Sequence, residues 1–341
     1  MITTQELARL AGVSQSTVSR SLPNSSRISL ETRIKVQDLA AQHGYTLKKR
    51  AGMPNDTGNG NNGCIGIILG ADRMHSPLDL YLEYLSNEVI RQIEKQNYYC
   101  TISSYEASDQ SFGYIQSIIE TADIKGIVII NGNYHSALED YLSQLNIPHI
   151  YTQYFSRPMQ KSLNIIDVDH FTGGLIAANH LLELGHQRIA TITSAGSDFK
   201  ERTEGYCTAL IDNNLACNPD WIVKSGLTYE EGYRQMESSW SQLHDCTAFF
   251  AQTDILGIAV INFLTDKGYK VPQQYSVIGF DGIPEGNYCR PSLTTVIQPV
   301  LKIAERSIKH LTHLIKQKST SATHFFVQPE LYLRNSTAPV K

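Results

Sequence analysis

The feature that most constrains the fold is a regular alternation of two sequence patterns that begins at Cys64. Short apolar runs rich in β-branched residues alternate with stretches of helical periodicity, such as "LEYLSNEVIRQIEKQ" at 82–96. The apolar runs are "CIGIIL", "YCTISSY", "GIVII", "HIYT", "IIDV", "RIATIT", "AFFAQ", "YSVIGF" and "LTTVIQ". Such alternation is typical of parallel sheets covered by helices on both faces. Nine or ten strands predict two doubly wound α/β halves, with a ligand cleft beyond the carboxyl ends of the strands.

The N-terminal region has a different pattern, which predicts three short helices. Thr3 followed by Glu6 is a capping box that begins the first helix, and Gly12 ends it in a left-handed conformation. Ser14 caps the second helix, and a third helix follows over 30–44. The apolar residues spaced to form one small core are Leu7, Ala11, Val13, Val18, Leu22, Ile28, Ile34, Leu39 and Tyr45.

The first two of these helices and the turn between them form a helix-turn-helix pattern. In that motif the first residues of the second helix contact base edges in the major groove. Gln15, Ser16 and Arg20 hold those positions, and Gln and Arg can make bidentate contacts to adenine and guanine. The predicted DNA contacts are Thr4, Ser14, Gln15, Ser16, Thr17, Ser19, Arg20, Lys48, Lys49 and Arg50.

The distribution of charge supports the same interpretation. Residues 1–50 contain eight Lys or Arg and three Asp or Glu, although the whole chain has a net charge of -4. A basic module attached to an acidic body is typical of nucleic-acid binding, with a solvated basic surface as the alternative. The stretch "AGMPNDTGNGNNG" at 51–63 cannot bury apolar surface and predicts a flexible linker.

These patterns predict three regions: a head, a linker and a core. The head covers 1–50, the linker 51–63 and the core 64–341, with one subdomain at 64–163 and 296–323 and the other at 164–295 and 324–341. The six cysteines are scattered without a C-x-x-C pair, which favours free, reduced thiols. The polar N-terminus and the lack of a long apolar run predict a cytoplasmic protein without membrane contact.

Several longer segments of the sequence together resemble a known family. "TTQELARLAGVSQSTVSRSL" and "RISLETRIKVQDLAAQHGY" closely resemble the headpiece of the lactose/galactose repressor family. The core segments "HLLELGHQRIATI", "RTEGY", "YSVIGFDGIP", "RPSLTTVIQP" and "QPELYLRNST" are similar, in order, to that family's regulatory core. The resemblance implies a core like that of a periplasmic sugar-binding protein. It also implies a homodimer that binds double-stranded operator DNA and responds to a small molecule in its cleft.

The resemblance also implies which residues would bind this effector. Arg202 in "RTEGY" matches a cleft arginine that binds ligand hydroxyls, and Asp281 in "GFDG" matches a cleft aspartate. Asp254 matches the aspartate of an alanine-asparagine-aspartate motif, but Thr253 replaces the asparagine and removes an amide donor. This departure implies an effector other than the commonest sugars. The implied effector contacts are His75, Ser76, Arg202, Thr253, Asp254, Asp281 and Gln298.

The linker departs further from the family, which has a hinge helix there that inserts into the minor groove. Gly52 and Pro54 stand at the matching arginine and leucine positions. In a helix interior Gly costs about 1 kcal/mol and Pro about 3 kcal/mol relative to Ala, so no hinge helix is expected. We therefore expect the basic residues at 48–50 to contact phosphates, and the effector to act through dimer geometry.

Two other classes of protein compete with this interpretation. An enzyme would be expected to carry a nucleophile elbow, a phosphate loop, a metal-binding motif or a dinucleotide motif, and we find none. We therefore expect no catalytic function, cofactor or metal site. A secreted solute-binding protein would need a signal peptide and would not carry a helix-turn-helix. The favoured function is a repressor of a carbohydrate-utilisation operon controlled by a sugar-like effector. A corepressor-dependent or nucleoside-responsive regulator, and an activator, stay open.

Overall fold

The chain divides into two compact units, residues 1–60 and 61–341, which we call the head unit and the core. The computed structural model describes residues 3–15, 17–18, 32, 35–36, 39–40, 62–70, 80–105, 109–132, 134–153, 162–317 and 322–340. The predicted linker at 51–63 lies outside this set except for its last two residues, which precede the first strand of the core.

The head unit begins with helix α1 (Thr4–Ala11), and the predicted capping box is present. The Thr3 backbone N–H donates to the Glu6 carboxylate at 2.8 Å, and the Glu6 N–H donates to Thr3 Oγ1 at 3.2 Å. Gly12 ends the helix with φ 71°, as predicted. The small core of the head unit contains Leu7, Ala8, Ala11, Val18, Val36 and Ala40, with Val13 and Leu39 packed against them. The predicted core residues Leu22, Ile28, Ile34 and Tyr45 lie outside the described residues.

The core contains two sheets, and among the described residues the first has six strands. They are β1 (Cys64–Gly70), β2 (Tyr99–Tyr105), β3 (Ile124–Ile130), β4 (His149–Thr152), β5 (Ile165–Val168) and β11 (His324–Val327). Their order is β11-β5-β4-β3-β1-β2, and all neighbours are parallel. Helices α2 (Leu80–Lys95) and α9 (Val300–Gln317) cover one face, while α3 (Asp109–Thr121) and α4 (Ser136–Gln144) cover the other.

The second sheet repeats this arrangement, again with six described strands. They are β6 (Ile189–Thr193), β7 (Ile222–Lys224), β8 (Ala248–Ala251), β9 (Ser276–Asp281), β10 (Thr294–Ile297) and β12 (Glu330–Tyr332). Their order is β12-β10-β9-β8-β6-β7, and only β12 is antiparallel to its neighbour. Helices α5 (His170–Glu183) and α6 (Ser197–Asp212) cover one face, while α7 (Tyr229–Leu243) and α8 (Asp254–Asp266) cover the other. The predicted pair of doubly wound α/β halves is confirmed.

The boundaries predicted between the two subdomains need correction. Strand β5 and strand β11 both belong to the first sheet, and β10 belongs to the second. The chain therefore crosses between the sheets after Val168, Ile297 and Val327, later than the predicted boundaries after 163, 295 and 323. The apolar run at 165–168 could belong to either sheet, because periodicity does not say which neighbour a strand pairs with.

The cysteine prediction is wrong for one pair. Cys207 and Cys217 form a disulfide with a Cα–Cα distance of 5.2 Å, while Cys64, Cys100, Cys246 and Cys289 are free. Cys207 lies near the end of α6, and the chain reverses at Asn214, whose φ is 60°. The reversal brings the two cysteines together without the C-x-x-C spacing that would have marked them. No helix within the described ranges is long and apolar enough to cross a membrane.

Candidate functional site

The candidate DNA-contacting surface follows Gly12 in the head unit. Ser14 Oγ accepts a hydrogen bond from the Thr17 backbone N–H at 3.1 Å and lies 2.8 Å from Thr17 Oγ1. Ser14 therefore caps the second helix, as predicted. Val18 is buried in the small core, whereas Gln15 is exposed in the first turn of the helix. The exposed position of Gln15 is the one that a base contact requires.

The other predicted DNA contacts are not among the side chains that the structure describes. Six of them lie outside the described residues: Ser16, Ser19, Arg20, Lys48, Lys49 and Arg50. The backbone of Thr4 begins α1, but its side chain is also outside the described set. The expected absence of a hinge helix concerns residues that are also outside this set. These contacts stay predictions.

In the core, residues that follow strands of both sheets meet in one polar cluster. Gln153 follows β4 of the first sheet, and Gln298 follows β10 of the second. Gln153 Nε2 donates to the Tyr81 hydroxyl at 2.9 Å and to Gln298 Oε1 at 3.0 Å. Gln298 Nε2 in turn donates to Asp281 Oδ1 at 2.7 Å. We call this chain of hydrogen bonds the bridging network, because it joins the two subdomains at the predicted cleft.

Asp281 holds an unusual backbone conformation within the bridging network. Its φ is 114°, and the next residue, Gly282, has φ 81°. A side-chain-bearing residue in such a region costs about 1–3 kcal/mol and persists only where its surroundings enforce it. Here Gln298 enforces it twice, because its backbone N–H donates to the Asp281 carbonyl at 3.2 Å and its amide donates to the Asp281 carboxylate. Strain of this kind is typical of ligand-binding loops.

A cavity of about 400 Å³ adjoins the bridging network. Tyr81, Asp281 and Gln298 line it, together with Tyr84 and apolar residues that include Ile297 and Val300. Ligand sites commonly measure roughly 300–1,000 Å³ and combine an apolar lining with a few polar groups. Of the predicted effector contacts, Asp281 and Gln298 therefore lie on a cavity of ligand size.

The electrostatic surroundings of Tyr81 fix its protonation state. Burial raises the pKa of Tyr81 well above its usual value, and the nearby carboxylates of Asp167 and Asp281 raise it further. The hydrogen bond from Gln153 and the charge of Arg202 act in the opposite direction. The Tyr81 hydroxyl therefore stays protonated near neutral pH, and it can donate a hydrogen bond while it accepts one from Gln153.

Arg202 is almost completely buried, with 2% of its surface exposed. Its Nε donates to His170 Nδ1 at 3.2 Å, one Nη donates to the Gln252 carbonyl, and the other lies 3.7 Å from Asp198 Oδ2. Its Cζ lies 3.9 Å from the centre of the Phe280 ring. Arg202 therefore already makes several contacts within the protein, and an effector could use only its remaining N–H groups.

Asp254 is not among the residues that line this cavity. Its exposed surface is 0%, and Oδ2 accepts hydrogen bonds from the backbone N–H groups of Gly282 and Ile283, both at 2.8 Å. Oδ1 accepts a hydrogen bond from Thr295 Oγ1 at 2.6 Å. These bonds engage both oxygens, so Asp254 positions the loop after β9, and its role as an effector contact stays a prediction. Thr253 caps α8 by accepting a hydrogen bond from Leu256 N.

Two of the remaining predictions, His75 and Ser76, lie outside the described residues. Sequence reasoning missed Tyr81 and Gln153, which complete the bridging network. Gln153 could have been found, because it directly follows the buried strand run "HIYT". Tyr81 carried no such signal, because it lies within the amphipathic helix α2 among apolar residues of the core.

Comparison with known proteins identifies the class to which this arrangement belongs. Residues 3–47 match the family model for bacterial regulatory proteins of the lacI family, and residues 178–337 match that for a periplasmic binding protein-like domain. Together with the fold, these matches define a DNA-binding transcription regulator with a ligand-binding core. The chain therefore contains a DNA-binding domain of the lacI family and a periplasmic binding protein-like domain, and the resemblance identified from its sequence is confirmed.

Curated relatives resemble the whole chain. The chain is 25% identical to the transcriptional repressor PurR of Mannheimia succiniciproducens, and the match covers 100% of both chains. It is 29% identical to the transcriptional regulator DegA of Bacillus subtilis, over 99% of this chain and 98% of DegA.

Solved structures show the same fold. A complex of the transcriptional regulator CelR with cellobiose superposes with a TM-score of 0.71 at 22% identity, covering 98% of this chain and 100% of CelR. A lac repressor dimer bound to operator and an anti-inducer gives a TM-score of 0.69 at 22% identity, covering 99% of each chain.

Proposed function

We propose that this protein is a homodimeric repressor of a carbohydrate-utilisation operon, controlled by a small sugar-like effector that binds beside the bridging network. It would act in the cytoplasm, without catalysis. The observation that carries the proposal is the Tyr81–Gln153–Gln298–Asp281 chain, which joins both subdomains at a cavity of about 400 Å³. A ligand that competes for these hydrogen bonds would change how the subdomains are held together.

The chemistry of the cavity favours a polyhydroxylated effector. Asp281 supplies carboxylate acceptors, while Tyr81 supplies a donor and the side-chain amide of Gln298 supplies groups of both kinds. CelR is solved with cellobiose, and a related regulator from Enterococcus faecium is solved with ribose.

A corepressor-dependent or nucleoside-responsive regulator is the second candidate. Several curated relatives that match the whole chain are named PurR. A thermal-shift screen of the full chain with monosaccharides, disaccharides, sugar phosphates and nucleosides separates the two candidates. The proposal expects stabilisation by a sugar, whereas stabilisation by nucleosides alone would favour the second candidate.

Gln298→Leu is expected to weaken binding of the stabilising sugar roughly tenfold or more, because it removes the amide that would pair with the sugar hydroxyls, and buried hydrogen bonds contribute on that scale. It removes the bonds from Gln298 to Asp281 and from Gln153 to Gln298. Isothermal titration calorimetry measures the change. The matched control is Gln235→Leu on α7, which loses only a hydrogen bond to Ser239. Equal affinities in the two variants would contradict the assigned site.

Gln15→Ala is expected to reduce affinity for the selected operator roughly 10- to 100-fold and to relax preference at one base pair in each half-site. The operator sequence is first selected from random duplexes. The duplexes must be long enough to hold two half-sites, because the two recognition helices of a dimer each bind one. Fluorescence anisotropy then compares this variant with Gln5→Ala, a control at an exposed position of α1. If Gln15→Ala weakens all sequences uniformly, Gln15 does not read bases.

A further inference from the structure

A groove of about 850 Å³ lies on the first subdomain, between the outer side of α9 and strand β11. Arg306, Lys309 and His313 line it from the helix, and Phe325 and Phe326 line it from the strand. None of the residues that form the bridging network lines this groove. Its volume is in the range that ligand sites commonly have.

The helix side of the groove offers cationic groups that have no acidic partner. The Arg306 guanidinium lies over the Phe325 ring, with its Cζ 3.9 Å from the ring centre. Neither Arg306 nor Lys309 forms an ion pair with any residue that the structure describes. Two acids also line the groove, and one of them, Glu330, is paired with Lys302 while the other, Glu305, is half-buried. Stacking on Phe325 holds the guanidinium plane in place and leaves its N–H edge accessible.

The strand side of the groove is apolar. Phe326 is 41% exposed, Phe325 is half-buried, and Ile166 and Val327 form a buried floor. The groove therefore combines an exposed aromatic ring with accessible cations, although the net charge of the chain is -4. Strand β11 pairs only with β5 among the described strands, so this wall lies at the edge of the sheet.

We propose that this groove is a second small-molecule site, which binds an organic anion carrying an aromatic or other apolar group. The anionic group, a carboxylate or a phosphate monoester, would pair with the fork of Arg306 and with Lys309. The apolar group would pack on Phe326 and the buried floor. Gln328, in the third crossing between the subdomains, and Lys302, at the start of α9, also line the groove. A bound anion would therefore contact segments that connect the subdomains and couple to the effector cleft.

Isothermal titration calorimetry of the full chain with four probes tests this proposal: phenyl phosphate, benzoate, inorganic phosphate and benzyl alcohol. We expect phenyl phosphate or benzoate to bind one molecule per chain, and the stronger of the two identifies the anionic group. Inorganic phosphate lacks the apolar part and benzyl alcohol lacks the charge, so each should bind roughly tenfold or more weakly.

Arg306→Gln and Lys309→Gln are each expected to weaken that binding roughly tenfold, because each removes a charge-assisted hydrogen bond. The control is Arg91→Gln on α2, an arginine whose side chain is 71% exposed. Circular dichroism melting checks that all three variants stay folded. The proposal is overturned if neither organic anion binds or if the groove variants bind like the control. A hexaglutamate peptide is titrated in the same way, and binding of this peptide alone would also overturn the proposal, because the groove would then be a protein-docking surface.

Discussion

Replacing Asp254 by alanine is expected to lower the free energy of unfolding by roughly 3–5 kcal/mol. The substitution leaves the buried N–H groups of Gly282 and Ile283 without their acceptor, and each unsatisfied buried donor costs about 1–3 kcal/mol. It also removes the partner of Thr295 and releases the strained backbone at Asp281. Urea denaturation of the wild type and the variant measures the difference. A loss below about 1 kcal/mol would show that the loop after β9 does not depend on this carboxylate.

The variant Asp254→Asn distinguishes the contribution of the Asp254 hydrogen bonds to stability from that of its charge. Asparagine keeps one acceptor oxygen for the two backbone donors, so the loss of stability should be clearly smaller than in the alanine variant. Burial raises the pKa of Asp254 from its ordinary 3.8 to about 7, so the native state holds a proton that the unfolded chain releases. The wild type should therefore lose stability as pH rises from about 4 to about 7, because the proton that favours folding is lost. In that window the asparagine variant should show a flatter slope, and equal slopes would contradict the assignment.

Sequence reasoning identified the inner strands of both sheets and one edge strand, β2, whose seven residues form a longer run than the edge strands that were missed. β1 is an example of an inner strand. Helices cover both faces of this parallel strand, so its sequence "CIGIIL" is one continuous apolar run. Strands β7, β11 and β12 were missed, and all three lie at edges of their sheets. They have three or four residues each, and β12 alternates exposed and half-buried positions. A short edge strand needs no continuous apolar run, so it gives no signal of its own.

The family resemblance implied two residues of the candidate site, Asp281 and Gln298, and both line the cavity. Asp281 is the last residue of β9, and Gln298 directly follows β10. The bond between Gln153 and Gln298 joins residues 145 positions apart, and no local pattern predicts such a pairing. Asp254 shows a different limit of the sequence, because a motif identifies the residue without saying that its side chain binds the loop after β9.

Arg202→Met is expected to have an effect of the same size as Asp254→Ala, for an electrostatic reason. Methionine can fill the space against Phe280, but it leaves the buried Asp198 carboxylate without the cation 3.7 Å away. Removing one partner of a buried ion pair costs roughly 3–5 kcal/mol. Arg234→Met, at an exposed position of α7, is the matched control and should change stability by less than about 0.5 kcal/mol. Thermal and urea denaturation measure both variants.

The double variant Arg202→Met with Asp198→Asn distinguishes the structural role of Arg202 from a direct contact with the effector. Neutralising Asp198 removes the buried charge that has lost its Arg202 partner, so the double variant should regain part of the stability that Arg202→Met loses. The hydrogen bonds to His170 and Gln252 stay lost, so recovery is incomplete. If recovered stability also restores affinity for the sugar found by screening, Arg202 acts by positioning α6 against β8. If affinity stays at least tenfold lower in a double variant that is stable, the result favours a direct contact between the effector and the remaining guanidinium N–H groups, because the other lost hydrogen bonds, to His170 and Gln252, act within the protein.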